Sequence, residues 1–338
     1  MRLRITHETS YDYAPVVETA QHITHLRPLT LPTQQLVSHS LDVQPPPAQQ
    51  MEALDVYGNT RTFFALDYAH HALRVTAHSL VDTAEPVPPP LGGDGSPPWE
   101  QLRERFRYRA GGVRDAAAEF TFPSDYVPRH DDFVAYARPS FAPGTPVLVA
   151  AQDLMQRIFR DFTYESLSTD VSTPAVEALA QRKGVCQDFA HIMIACMRAM
   201  GLPARYVSGY LLTMPPEGQP RLIGSDASHA WASVYVPQPA GAGASTLAGD
   251  VDTCGWFDFD PTNNRSPGED YVTLAIGRDY GDVSPMRGVI HGGARHTLHV
   301  GVTVEPAEPD AAPGQTQRQS QGPSTGQSQG QSQSQSQN

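Results

Sequence analysis

The hydrophobic period of this chain changes twice, and where it changes limits which elements can pack together. From residue 1 to about 83 the sequence reads as short strands: Leu3 and Ile5, Tyr11 to Val17, Gln35 to Val43, Thr60 to Tyr68 and Leu73 to Val81, separated by Pro, Gly and Asn turns. A small β domain is expected there. At Thr145-Pro146 the spacing turns helical, with Thr145 as N-cap, Pro146 as first helical residue, and Leu148, Ala151, Met155 and Phe159 on one face. Thr173-Pro174 opens a second helix by the same logic. A third runs from about Val185 to Met200 and stops at Gly201-Leu202-Pro203. Strands return at Arg205 to Leu212, Ser228 to Val236 and Trp256 to Asp260, so helices followed by strands imply an α+β core.

At 338 residues the chain is long for one core, and two domains are expected. Residues 1–85 are read as a β-sandwich-like domain, 86–305 as the core with flanking strands, and 306–338 as a tail. The boundary falls in the Pro- and Gly-rich run Glu85 to Gly95, which has no apolar periodicity. Pro237 to Gly255 is small, polar and Gly-rich, and reads as a surface loop. The tail is Gln, Ser, Gly and Pro with almost no apolar residues, a composition expected to stay disordered.

A net charge of -12 and a pI near 5.5 argue against nucleic acid or an anionic membrane as the main partner. Met1 to His7 lacks the continuous apolar stretch of a signal peptide or anchor, so a cytoplasmic location is expected. Three cysteines, Cys186, Cys196 and Cys254, fit a reducing compartment better than a disulfide framework.

Cys186 follows a glycine-led turn and lies in the first turn of the third helix, where unpaired N–H groups and the helix dipole favour a thiolate. It is a candidate nucleophile. The nearest histidine, His191, is five positions on, a rotation of roughly 140° at about 100° per residue, so it faces elsewhere and reads as a packing residue. His229 is the better base. Strand alternation groups it with Trp231, Ser233 and Tyr235, opposite Ala230, Ala232, Val234 and Val236. The aliphatic face should be core, and the helix carrying Cys186 is expected on the histidine face. An ordinary half-buried strand histidine is the competing reading. An orienting acid should come from Trp256 to Asp260, where alternation puts both Asp258 and Asp260 on one face and cannot choose between them. A thiol, an imidazole and a carboxylate together make an acyl-enzyme machine.

These residues resemble the bacterial transglutaminase-like proteins. The resemblance is carried by Thr6-His7-Glu8-Thr9-Ser10-Tyr11-Asp12-Tyr13 with Leu26-Arg27-Pro28, by Gly184-Val185-Cys186-Gln187-Asp188-Phe189-Ala190-His191, by Gly201 to Tyr210, by Ser228-His229-Ala230-Trp231, and by Asp260-Pro261-Thr262-Asn263. It implies a papain-like core behind a small all-β domain. It further implies Cys186 as nucleophile, His229 as base and Asp260 as its partner, which chooses Asp260 over Asp258. Members range from protein cross-linking, with a lysine amine as acceptor, to peptide or amide hydrolysis, with water. Nothing matches the calcium sites of animal transglutaminases, so no metal and no cofactor are expected. The expected partner is a peptide or protein substrate.

Trp231 and Tyr210 are candidate walls of an acyl-donor groove, with ordinary core aromatics as the alternative. The Cys186 backbone N–H is expected to serve the oxyanion, together with an unidentified side chain. Cys196, among Met193, Met197 and Met200, reads as core, and Asp188 as a carboxylate favoured by the helix N-terminus. Histidines at 22 and 25, 70 and 71, and 291, 296 and 299 lack metal-ligand spacing. A rival reading from another class makes the chain a non-catalytic binding or assembly module.

Overall fold

The computed structural model describes residues 1–86, 96–110, 115–165, 173–213, 228–237, 255–293 and 295–307. Most of the linker, the loop before Gly255 with Cys254, and all but the first residues of the tail lie outside them. No helix among the described residues is long and apolar enough to cross a membrane.

Five strands open the chain: β1 (Arg2–Thr24), β2 (Gln34–Gln44), β3 (Gln49–Leu54), β4 (Thr60–Leu66) and β5 (His70–Thr83). Then come α1 (Trp99–Phe106), α2 (Asp131–Ala137), α3 (Val147–Asp161), β6 (Thr163–Tyr164), α4 (Ala175–Gln181), β7 (Lys183–Gly184) and α5 (Cys186–Ala199). The chain continues with β8 (Ala204–Leu211), β9 (Ser228–Tyr235), β10 (Trp256–Phe259), β11 (Tyr271–Gly277), α6 (Tyr280–Val283), β12 (Met286–Gly292) and β13 (Arg295–Pro306).

β1 is one continuous strand of 23 residues that changes partners along its length. Its first half lies between β5 and β13, and its second half between β4 and β12, all antiparallel. The last two strands thus return from the far end of the chain to complete the first sheet, which curls around Phe64, Leu66, Leu73 and Val75. Alternation explains the burial: Leu3, Ile5, His7 and Thr9 point inward while their neighbours do not.

The second sheet is antiparallel in the order β10-β9-β8-β11. Leu3, Ile5, Val81, Val302 and Val304 from the curled sheet pack with Tyr210, Leu212, Val272 and Leu274 of β8, β11 and their flanks. The helices cover the other side. α5 buries Phe189, Ile192, Met193 and Cys196 against Ala230, Ala232, Val234 and Val236. This corrects one expectation: the helix that begins at Cys186 packs on the aliphatic face of β9, because that face alone offers it an uninterrupted apolar surface.

Two helix starts shift by one residue. Pro146 and Pro174 are the extended flanking residues, and helix begins at Val147 and Ala175. The Leu148 N–H donates at 3.2 Å to Ser96 Oγ from a distant segment, which leaves Thr145 without the capping role. Phe159 is 49% exposed, and Ile158 completes the stripe with Leu148, Ala151 and Met155.

Candidate active site

α4 ends on Arg182 with φ at 57°, a left-handed turn that reverses the chain into β7. There Lys183 and Gly184 pair in parallel with Thr163 and Tyr164, and Lys183 Nζ meets Glu165 at 2.8 Å. The next turn is closed by Asp188, whose Oδ2 accepts the Val185 N–H at 2.8 Å. Gly184 has to be glycine: a Cβ there would lie 2.6 Å from the same Asp188 oxygen. The result fixes Cys186 as the first helical residue, half-buried, with Sγ 3.9 Å from the Ser228 carbonyl oxygen.

Ser228 and His229 begin β9, and His229 pairs with Gly209 of β8. His229 is 9% exposed, is hydrogen-bonded to Asp260, and its ring is influenced by Cys186 as well. Its Nε2 lies 2.7 Å from Asp260 Oδ2. Burial by itself disfavours the charged ring, but the bonds to Asp260 and Cys186 and the charges of both push its pKa up to about 10. The ring is reached from the strand end rather than from a face beneath the helix.

Asp260 is fully buried and sits just past β10, in a turn its own side chain builds. Oδ1 accepts the backbone N–H of Thr262 at 2.9 Å and of Asn263 at 3.3 Å. Oδ2 accepts from Asn263 Nδ2 and from the Tyr271 hydroxyl, each at 2.7 Å, as well as from His229. Burial works against the carboxylate, yet the bond and charge from His229, with Asn263 and Tyr271, hold its pKa below the usual value. Tyr271 is pushed in the opposite direction by burial and by Asp260, so it remains an O–H donor.

Asp258 belongs to a different group. It stands opposite Ser233 on β9, which stands opposite Arg205 on β8, so the three form a row across the sheet. Burial raises its pKa against the effects of Ser233, Arg205 and Trp231. Alternation put both acids on one face. What alternation does not encode is that Asp260 lies beyond the strand end, where the turn aims it at the histidine.

Trp231 and Tyr210 lie in the core. Trp231 is fully buried with Val207, Tyr271 and Leu29, its ring 6.2 Å from His229 and edge-on to Tyr271 at 5.4 Å. Gly209 makes room for it: a Cβ there would meet the indole at 2.6 Å. Tyr210 is 1% exposed, and its hydroxyl bonds His7 Nδ1 at 2.9 Å. Trp231 nevertheless lies in the wall of a cavity of about 320 Å³ with Val207, Phe257 and Tyr271, whereas Tyr210 lies in the apolar cluster with Leu3 and Val272. Trp231 also backs the histidine.

His191 is buried, stacked near Tyr126 and Tyr206, and its Nε2 accepts the Tyr280 N–H at 3.2 Å. Cys196 is buried and its pKa is raised by burial. No group of three or more metal-ligating side chains occurs among the described residues. Sequence reasoning missed Tyr271 altogether. The alternation of Tyr271-Val272-Thr273-Leu274 would have revealed a strand there, though not its hydroxyl's target.

Residues 134–261 match the transglutaminase-like superfamily, and residues 3–82 match the bacterial transglutaminase-like N-terminal region. An uncharacterized protein of Mycobacterium tuberculosis is 42% identical over 313 residues, covering 92% of this chain and 94% of its own. A protein-glutamine gamma-glutamyltransferase of Pseudomonas aeruginosa is 27% identical over 124 residues, 34% of this chain and 16% of that enzyme. Among solved structures, a candidate cysteine protease from Cytophaga hutchinsonii shares the fold with a TM-score of 0.65, 23% identity, and coverage of 91% of this chain and 92% of that one.

Proposed function

Since the chain belongs to the transglutaminase-like superfamily, we propose that it is a cysteine acyltransferase that forms a thioester on peptide or protein carboxamides. One observation carries this reading: the His229 ring, held at 2.7 Å by the buried Asp260 carboxylate, is also acted on by Cys186, and both raise its pKa. The protonated ring and the thiolate form an ion pair, and Asp260 keeps the ring oriented as its charge changes.

In the first half-reaction Cys186 Sγ attacks the carboxamide carbon. The C–N bond breaks, His229 gives its proton to the leaving nitrogen, and ammonia departs. In the second, an amine attacks the thioester carbon while His229 takes the amine proton. The C–S bond breaks and the thiolate returns. The backbone N–H of Cys186, at the start of α5 where no intrahelical partner exists, suits the developing oxyanion. The glutamine side chain as acyl donor is supported by the name of the Pseudomonas relative.

Incubation with a glutamine peptide and a fluorescent primary amine tests the reading. The expected product is the amine-linked peptide, formed by the intact protein and at least about 10³-fold more slowly by Cys186→Ala. Equal rates would overturn it. Ammonia release without amine incorporation would instead mark water as the acceptor and the protein as an amidase.

A further inference from the structure

We infer that a basic groove at the far end of α5 from Cys186 is an exosite for an acidic segment of a polypeptide partner. The groove encloses about 1080 Å³ between α1, the Thr121–Arg129 segment, the start of α2, residues 138–143 and the last turn of α5. α5 has 14 residues, so at 1.5 Å per residue the groove is about 20 Å from the thiol. It is a separate surface.

Its charged lining is Arg103, Arg129, Arg138 and Arg198, with His130 and a single acid, Asp131. Acids outnumber Lys and Arg by 36 to 24 in this chain, so an exposed arginine readily finds a carboxylate. Arg74, Arg105, Arg109 and Arg265 do, while Arg287 and Arg295, which are scattered on the far strands, do not among the described residues. Arg103, Arg129 and Arg138 are exposed and have no carboxylate partner among the described residues. Arg103 Cζ lies over the Trp99 ring, 4.7 Å from its centroid, a contact that holds the guanidinium without neutralising it.

A fourth charge lies beneath them. Arg198 is 7% exposed, and its guanidinium donates to the carbonyls of Ala204, Phe122 and Arg278 and to Ser124 Oγ. Asp279 offsets part of that charge from below, and Asp131 part of the rim, while the carbonyl end of α5 disfavours an anion at its axis. The three unpaired guanidinium groups outnumber the single acid of the rim. Apolar Trp99, Phe141 and Met200 form part of the groove wall, so an extended peptide carrying acidic side chains meets both requirements. A long polyanion fits less well, because past the arginines it would run close over the surface of a chain that carries a net charge of -12.

Fluorescence anisotropy with a labelled octaglutamate peptide and the intact full chain tests the inference without turnover, so it stands or falls separately from the acyl-transfer reading. Binding is expected at 50 mM salt, weakening at 200 mM, with octaglutamine at least about tenfold weaker. The combined Arg103→Gln, Arg129→Gln and Arg138→Gln variant should also bind about tenfold less tightly. Each single variant alters one exposed side chain and should show part of that loss, which keeps the test decisive if the triple variant is unstable. Unchanged binding by the variants, or equal binding of octaglutamine, would overturn the exosite. Tighter binding of duplex DNA at these arginines would overturn the choice of a peptide partner.

Discussion

On the face of the second sheet that meets α5, Ala230, Ala232, Val234 and Val236 are surrounded by apolar side chains, and their contribution is set by the area they hide. On the opposite face, His229 and the Asp260 turn depend on named partners at hydrogen-bond distance, with Ser233 and Asp258 beside them. The two faces therefore respond differently to change. An apolar face loses stability in proportion to what is removed, whereas a polar face fails when one partner is lost. Within the polar face, two acids two residues apart diverge: burial leaves Asp258 with a raised pKa, and Asp260, more fully enclosed, has a lowered one. Donors decide the direction. Asp260 has five of them, counting two backbone N–H groups.

The largest expected effect comes from Asp260→Asn, which keeps the shape of the turn and removes the charge. The His229 pKa should fall from about 10, and amine incorporation should drop by roughly 10² to 10⁴. A stability signature accompanies it. Because the folded-state pKa of His229 is raised, its stabilisation is full below pH about 6.5, the ordinary value, and is lost as pH rises to about 10. Denaturant melts between pH 6 and 10 should show that slope in the wild type and a flatter one in the variant. Equal slopes would mean that Asp260 does not hold the ring's charge.

Val234→Ala probes the other face. It should cost about 1–3 kcal/mol in chemical denaturation and leave the rate per folded molecule and its pH profile unchanged. A moved pH profile would show that the faces are coupled, and the contrast between them would break.

How much of this was legible follows from the same contrast. Patterns of period 2 and 3.6 record which side of an element is apolar, so β5, α3, α5 and β9 could be read from the chain, while β1 was read as two short strands and is one. The partner of a face is not recorded: α5 was expected on the histidine side and packs on the aliphatic one. Elements with weak patterns went unread, among them β3, whose six residues are all exposed, and the returning β12 and β13. Cys186 and His229 stood out as candidates beside chain punctuation, a glycine turn and a strand start, while the choice of Asp260 over Asp258 rested on the family resemblance. Tyr271 carries no such mark. Trp231 and Tyr210 could be read either way because an aromatic in a strand looks the same whether it lines a groove or fills a core.

The smallest effect, and the finest test of the polar face, is Tyr271→Phe. The ring keeps its edge against Trp231 and its place under Arg265, so packing is preserved. The O–H donated to Asp260 Oδ2 at 2.7 Å is lost, together with the hydroxyl's interaction with Arg265. With His229 and Asn263 still on that oxygen, the carboxylate stays ionised at neutral pH, but its hold on the imidazole loosens. A hydrogen bond to a charged group contributes roughly 1.5–3 kcal/mol, and shared among several donors the net change should be at the lower end, about tenfold in kcat with KM unchanged. The acid limb of the pH–rate profile should also move upward, because a carboxylate with fewer donors protonates more easily. A purely structural tyrosine would lower the melting temperature without moving that limb, and such a result would remove Tyr271 from the set of groups that position His229.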